Sequence, residues 1–383
     1  MSERVAVVGV GCTACRALSP EVSFRELIFE AATRAYQDAG IEPREVDTFV
    51  SVSEDYREGT AIFDEYVPDQ LGAVLKPVHT ICGDGLTGVA AAFMQLRTGR
   101  FHIAVVEGHS KASNILYPAH LDAFALDPVF VRPLGFHPSF VAGLEMRAYL
   151  AGRGYREEHA AMVVAKNRGN AIRNPLAAFP ARLELADVLA SSPLAEPVKE
   201  LDQAPPADGA VVVVLARESV ARHLQGEPVF IRGIGWAQDT PDLDQREWEE
   251  AVYARLAARM AYDMAGVKNP RREFDLAEVD DTFSYKELQH LEALGLALPG
   301  EAGRMLEAGC FGFRGELPVN VSGGHLGNGH LHEAAALRSL AEAVWQLRGR
   351  AGGRQVPGVE TCVVQSWRGL PAASGAVAVL SCA

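Results

Sequence analysis

Apolar and polar positions follow a repeating order along this chain. Residues 4–11 form an apolar run closed by glycines, which predicts a buried strand. In residues 23–40, Phe24, Leu27, Ile28, Ala31, Ala32, Ala35 and Tyr36 recur at helical spacing and stop at Gly40, which predicts a helix. A strand follows at 45–51. A further strand-like run ends at Cys82, and Gly83 and Gly85 then lead into a helix rich in small residues. Residues 102–106 and 207–216 predict two more strands, the second strongly apolar.

The same order returns from about residue 228. Residues 228–235 match the first strand, and 246–266 predict an amphipathic helix ending at Gly266. Glu278-Val279-Asp280-Asp281-Thr282-Phe283 echoes the segment from Glu45 to Phe49. Gln346-Leu347-Arg348-Gly349-Arg350 echoes Gln95-Leu96-Arg97-Thr98-Gly99-Arg100, each closing a helix before a strand. A long-period internal duplication explains this, with halves at 1–226 and 227–383. Alternating strands and helices predict an α/β fold with mainly parallel sheets covered by helices. An insertion at about 110–200 holds Pro118, Pro128, Pro133, Pro138, Pro175 and Pro180 and two helical stretches, 142–153 and 155–171. Such insertions are where binding specificity tends to reside.

The chain has 383 residues, 48% hydrophobic and 22% charged, with a net charge of −13. The acidic residues are spread out. That balance argues against nucleic acid and against an anionic membrane surface. No apolar run reaches the ~20 residues that span a bilayer. The first residues lead directly into a strand without a leader-like segment, and six scattered cysteines form no disulfide framework, so a reducing cytoplasm is expected.

The candidate chemistry lies at the glycine turns. Cys82 stands where a helix begins, and unpaired N–H groups with the helix dipole favour an anion there. A thiolate is such an anion, so a lowered thiol pKa and a nucleophilic role are expected; a buried cysteine packed in a turn is the alternative. The counterpart turn in the second half runs Asn320-Val321-Ser322-Gly323-Gly324-His325, then Gly329-His330-Leu331-His332. Two duplicated helices meeting at their N-termini would bring Cys82 and His330 into one cavity, the minimum for nucleophilic acyl transfer. His325, His330 and His332 could instead be metal ligands or surface residues, but no clean ligand spacing supports metal. Cys12-Thr13-Ala14-Cys15 is a lone pair without a second, which reads as a covered loop before a zinc or redox site. Gly9 and Gly11 lack the third glycine of a dinucleotide loop.

Taken together these residues resemble the thiolase superfamily, in particular its sterol-carrier-protein-type and archaeal acetyl-CoA acetyltransferase branch. Cys82-Gly83-Asp84-Gly85-Leu86 resembles the family's nucleophile motif. Asn320-Val321-Ser322-Gly323-Gly324 with Gly329-His330 resembles the block that carries the catalytic histidine. Ala165-Lys166-Asn167-Arg168, Asp208-Gly209-Ala210 and Arg354-Gln355-Val356 are typical of the branch. The resemblance covers essentially the whole chain. It implies a five-layered αβαβα fold of two duplicated halves about a pseudo-twofold axis. It implies an acyltransferase acting on acyl-CoA, with no covalently bound cofactor and a place in lipid metabolism. Acyl transfer would run through Cys82, with His330 as general base and an oxyanion hole of backbone N–H groups. It implies a homodimer or homotetramer and allows a small OB-fold/zinc-ribbon partner protein.

The departures are specific. The family's second cysteine is absent from the turn Ser366-Trp367-Arg368-Gly369, and Cys362 reads as core. Gly369 remains as the last residue of that turn. Asp280 stands where the family places an oxyanion-hole Asn or His; a carboxylate there must be protonated, point elsewhere or act as a base, unless it is a solvated acid at a strand end. His332 could replace the missing base, and His137 in the insertion could line the substrate pocket. Retention of Cys82 favours acyl transfer, while Tyr285 near Asp280 keeps a retro-aldolase or a C-acyltransferase on a non-CoA acceptor open. A scaffold subunit of a larger complex is the remaining alternative.

Overall fold

The computed structural model describes residues 3–58, 65–240 and 242–383. The first half runs through β1 (Val5–Cys12), α1 (Phe24–Ala39), β2 (Thr48–Val52), β3 (Val78–Ile81), α2 (Gly85–Arg97) and β4 (Ile103–Lys111). The helices α3 (Phe140–Arg153) and α4 (Glu157–Ala171) follow, then β5 (Asp208–Arg217). The second half runs through β6 (Val229–Gln238), α5 (Val252–Ala265), β7 (Leu276–Glu278), α6 (Ser284–Ala293), α7 (Gly324–Asn328), α8 (Ala335–Leu347), β8 (Thr361–Gln365) and β9 (Ser374–Ser381).

Nine strands join in the order β3-β2-β4-β5-β1-β6-β9-β8-β7. Outward from the β1–β6 junction the two halves read β1-β5-β4-β2-β3 and β6-β9-β8-β7, which is the same order of equivalents. Val319 bridges Ala277 in parallel beyond β7, where β3 would stand. The junction is thin, with Ala6 opposite Phe230 and Val7 opposite Val229. Parallel pairing is confined to β2–β3, β2–β4 and β7–β8. The remaining pairs are antiparallel. The expectation of mainly parallel sheets is therefore corrected. β5 and β9, the returning strands of each half, insert beside β1 and β6 and run against both neighbours.

The duplication is also written in four glycines. A Cβ on Gly9 or Gly11 would stand 2.4 Å from Ala35 O or 2.0 Å from Ala31 O of α1. On Gly233 or Gly235 it would stand 2.0 Å from Ala261 O or 2.2 Å from Ala257 O of α5. In both halves the first helix lies directly on the first strand, and only glycine permits that approach. This is the physical reason for Gly9 and Gly11, in place of a phosphate loop.

The core divides into three clusters. One lies between α1 and the first-half strands, through Ile28, Phe49 and Val212. A second surrounds α2 and α8 with Leu86, Phe93, Leu337 and Val364. The third packs α4, α5 and α6 on the second-half strands through Val163, Tyr253 and Leu288. Several boundaries depart from the sequence pattern: the strand expected at 45–51 is Thr48–Val52, with a 3-10 turn at Pro43–Glu45 before it. α5 starts at Val252, not near 246, because Arg246 is buried and donates to Pro371 O at 2.8 Å. β7 ends at Glu278, because the next two carboxylates bond to backbone N–H groups outside the ladder: Asp280 to Thr282, Asp281 to α7. Among the described residues no helix is long and apolar enough to cross a membrane.

Candidate active site

The two glycine turns abut. α2 begins at Gly85, and a Cβ there would stand 2.6 Å from Leu337 Cγ, 2.8 Å from Leu337 N and 3.1 Å from Glu333 O. The start of α2 thus rests on the start of α8.

Cys82 is exposed in this chain. Its thiol pKa is raised, first by desolvation, then by the charges of Glu54, Asp55 and Glu333, against the opposing Arg368. The expected lowering is corrected: burial and the three carboxylates outweigh Arg368. Asp84 is the N-cap of α2, and its carboxylate accepts from Leu86 N at 2.9 Å and Thr87 N at 3.1 Å. The positive end of the helix is already occupied by an anion two residues beyond the thiol. Asp followed by the start of an apolar helix is an N-cap signature, so this residue was legible in the sequence.

A cavity of about 270 Å³ opens beside the turns. His330, His332, His137 and Gly369 line it, together with Arg57, Arg368 and Glu333. Cys82 is not among its lining residues, but it shares Arg368 and Glu333 with the cavity wall. Asp280 is not among them either.

The histidines form a row. The His330 ring lies 5.6 Å from that of His325 and 5.1 Å from that of His332. Desolvation, with the neighbouring histidines and Arg57, holds the pKa of His330 well below the usual imidazole value. His330 is therefore neutral at physiological pH, with a lone pair to accept a proton. The Nδ1 atom of His332 lies 2.8 Å from Nη1 of Arg57. An arginine only donates, so Nδ1 accepts and the proton of this ring sits on Nε2. Desolvation and Arg57 hold the pKa of His332 well below normal. Arg57 also faces Glu333 at 3.2 Å and Asp122 at 3.4 Å. Arg57, 275 residues from His332, carried no signal in the sequence.

Asp280 is buried, not a solvated acid at a strand end. Its Oδ2 lies 3.3 Å from Nδ1 of His325, and its carbonyl accepts from His290 at 2.8 Å. Asp281 accepts from Leu326 N at 3.3 Å and from Asn167 Nδ2 at 2.7 Å, so it fastens α7 to α4.

In the turn that lacks the second cysteine, each side chain is engaged. Ser366 donates to Asp84. Trp367 is buried, donates to Ala372 O at 2.7 Å and lies under Lys286 at 4.4 Å. Arg368 Nε donates to Glu54 Oε1 at 2.8 Å. Tyr285 is buried and donates to Glu145 at 2.8 Å, which removes it from the cavity. Cys362 lies in the core. Cys12 and Cys15 are buried, and burial raises the Cys12 thiol to about 12. Among the described residues no group of three or more His, Cys, Asp or Glu is placed to hold a metal ion.

Comparison with known proteins agrees with this architecture. Residues 235–382 match the model of the Thiolase C-terminal domain-like family. The acetyl-CoA acetyltransferase of Methanothermobacter thermautotrophicus is 34% identical over 364 residues, covering 93% of this chain and 94% of that one. The 17-hydroxy-3-oxo-4-pregnene-20-carboxyl-CoA lyase of Mycobacterium tuberculosis is 28% identical, covering 97% and 98%. A solved Ltp2-ChsH2(DUF35) aldolase superposes with a TM-score of 0.86 at 24% identity, covering 99% and 97%.

Proposed function

Because the chain belongs to the thiolase superfamily and is an enzyme of that family, we propose that it transfers an acyl group from a coenzyme A thioester through Cys82, with His330 as the base. The observation that supports this reading is the contact of Gly85, three residues after Cys82, with Glu333 and Leu337, which follow His330 in the chain. His330 takes the thiol proton, and Sγ attacks the thioester carbonyl. The coenzyme A thiolate then leaves with the proton returned from His330. A carbon nucleophile attacks the acyl-cysteine, or a β-ketoacyl thioester is cleaved in reverse. His332, with its proton on Nε2, donates to the developing oxyanion; its Nδ1 is committed to Arg57, so it is not the missing second base. His137 and Gly369 bound the acyl pocket. Incubation with a labelled acyl-CoA, followed by mass spectrometry of the Cys82 peptide, tests the reading. A folded protein without an adduct rules it out.

A second reading rests on the raised thiol pKa of Cys82 and its position outside the histidine-lined cavity. In a retro-aldol cleavage His330 removes the β-hydroxyl proton of a β-hydroxyacyl-CoA, the Cα–Cβ bond breaks to give a ketone or aldehyde and a thioester enolate, the enolate takes the proton back from His330, and no acyl-enzyme forms. A Cys82→Ala variant that still turns over selects this reading.

The partner we propose is a DUF35-type chain, of the kind named in the Ltp2-ChsH2(DUF35) aldolase. The insertion exposes Leu116, Tyr117, Phe124, Val129 and Phe130, an apolar area that such a chain would cover. A homodimer through β3 is proposed because β3 is a half-buried edge strand of the sheet. Six free cysteines fit a reducing compartment. Light scattering of the chain alone, and with the DUF35-type protein, reads both assemblies.

A further inference from the structure

Asp280 lies beside His325, and the ring of His325 neighbours that of His330, which lines the cavity. The ring of His325 is buried. Its backbone N–H is bound by Asp281, which fixes the residue at the first turn of α7. Nδ1 of His325 lies 3.3 Å from Asp280 Oδ2 and 3.2 Å from Thr282 Oγ1. Thr282 can donate or accept, so it does not decide the tautomer. The carboxylate does: a lone pair on Nδ1 would face a carboxylate oxygen, so Nδ1 carries a proton. In the neutral ring that leaves Nε2 of His325 as an acceptor.

Nε2 of His325 is buried and has no hydrogen-bond partner among the described residues, and the same holds for Nδ1 of His330 in the neighbouring ring. A buried polar atom left unpaired costs about 1–3 kcal/mol. One direct bond between the two satisfies both. His325 Nε2 must accept in it, so His330 Nδ1 must donate. The other nitrogen of His330, Nε2, then presents its lone pair to the cavity.

We propose that His325, oriented by Asp280, is a positioning residue that fixes His330 with its proton on Nδ1 and its accepting nitrogen toward the substrate. The proposal rests on His330 as the base of this site and holds for acyl transfer and for retro-aldol cleavage alike. In both, the proton passes from substrate or thiol to Nε2, and Nδ1–H stays bound toward His325. It also gives Asp280 a part in the site without touching substrate.

The test is a long-range ¹H–¹⁵N correlation of the full chain labelled in histidine, with His330 assigned by loss of its signals in His330→Gln. In the wild type, His330 is expected to show Nδ1–H and a free Nε2. In Asp280→Asn, the amide donates to His325 Nδ1, both tautomers reverse, and turnover falls on the order of 10²–10⁴-fold. His325→Phe keeps a ring in place and removes the bond, so His330 becomes a mixture of tautomers. A wild-type His330 protonated on Nε2 overturns the proposal, and so does a tautomer ratio unmoved in both variants. If neither variant folds, the wild-type spectrum decides alone. A fully active His330→Gln would instead remove the base assignment, while the spectrum still judges the relay.

Discussion

The hydroxyl of Ser366 donates a 2.7 Å hydrogen bond to Asp84 Oδ1, joining residues 282 positions apart. It ties the turn that lacks a second cysteine to the N-cap of the helix behind Cys82. Asp84 is buried, which raises its pKa, and Ser366 is the first of the hydrogen bonds that oppose this. Ser366→Ala is expected to raise the Asp84 pKa further and to lower stability by about 1.5–3 kcal/mol, the range for a bond to a charged group. Urea unfolding at pH 7.5 measures it.

The thiol of Cys82 answers to two opposed charges. Glu54 raises its pKa and Arg368 lowers it. Glu54→Gln is expected to lower the thiol pKa, and Arg368→Ala to raise it. The pH dependence of iodoacetamide alkylation at Cys82 separates the two, since only the thiolate reacts. Identical profiles in both variants would contradict this electrostatic account.

Gly85 is where the two turns touch. Gly85→Ala would place a methyl 2.6 Å from Leu337 Cγ and 2.8 Å from its backbone nitrogen. Alanine ordinarily favours a helix over glycine by about 0.5–1 kcal/mol. Here the overpacking is expected to outweigh that gain and destabilise by about 1–3 kcal/mol. A midpoint in urea at or above the wild-type value would show that the helices are not in close contact.

The base also sets a pH limb. Burial, with the neighbouring histidines and Arg57, holds His330 well below the usual imidazole pKa near 6.5. A general base works while unprotonated, so its activity is retained down to its own pKa and lost as pH falls through it. The acid limb of kcat is therefore expected below pH 6.5. An acid limb at or above 6.5 that disappears in His330→Gln would contradict the burial of this ring.

Local pattern was enough for most elements, because strands and helices write their burial as periods of two and 3.6. It fell short where tertiary bonds claimed the backbone. The segment Glu278–Phe283 echoes Glu45–Phe49, yet Asp280 and Asp281 turn the chain out of the ladder after Glu278. The returning strands carry no mark of direction in their letters, so the antiparallel character of β5 and β9 was not legible.

The sequence by itself determined the family, the doubling of the chain and the two glycine turns, since each is a pattern of neighbours along one strand or helix. The tertiary structure alone decided the electrostatics of the site. Arg368 and Glu333 came to act on the thiol of Cys82, Arg57 set the proton of His332, and Asp280 came to face His325 and not the cavity. Protonation depends on charges within a few ångströms, and those come from residues far apart along the chain.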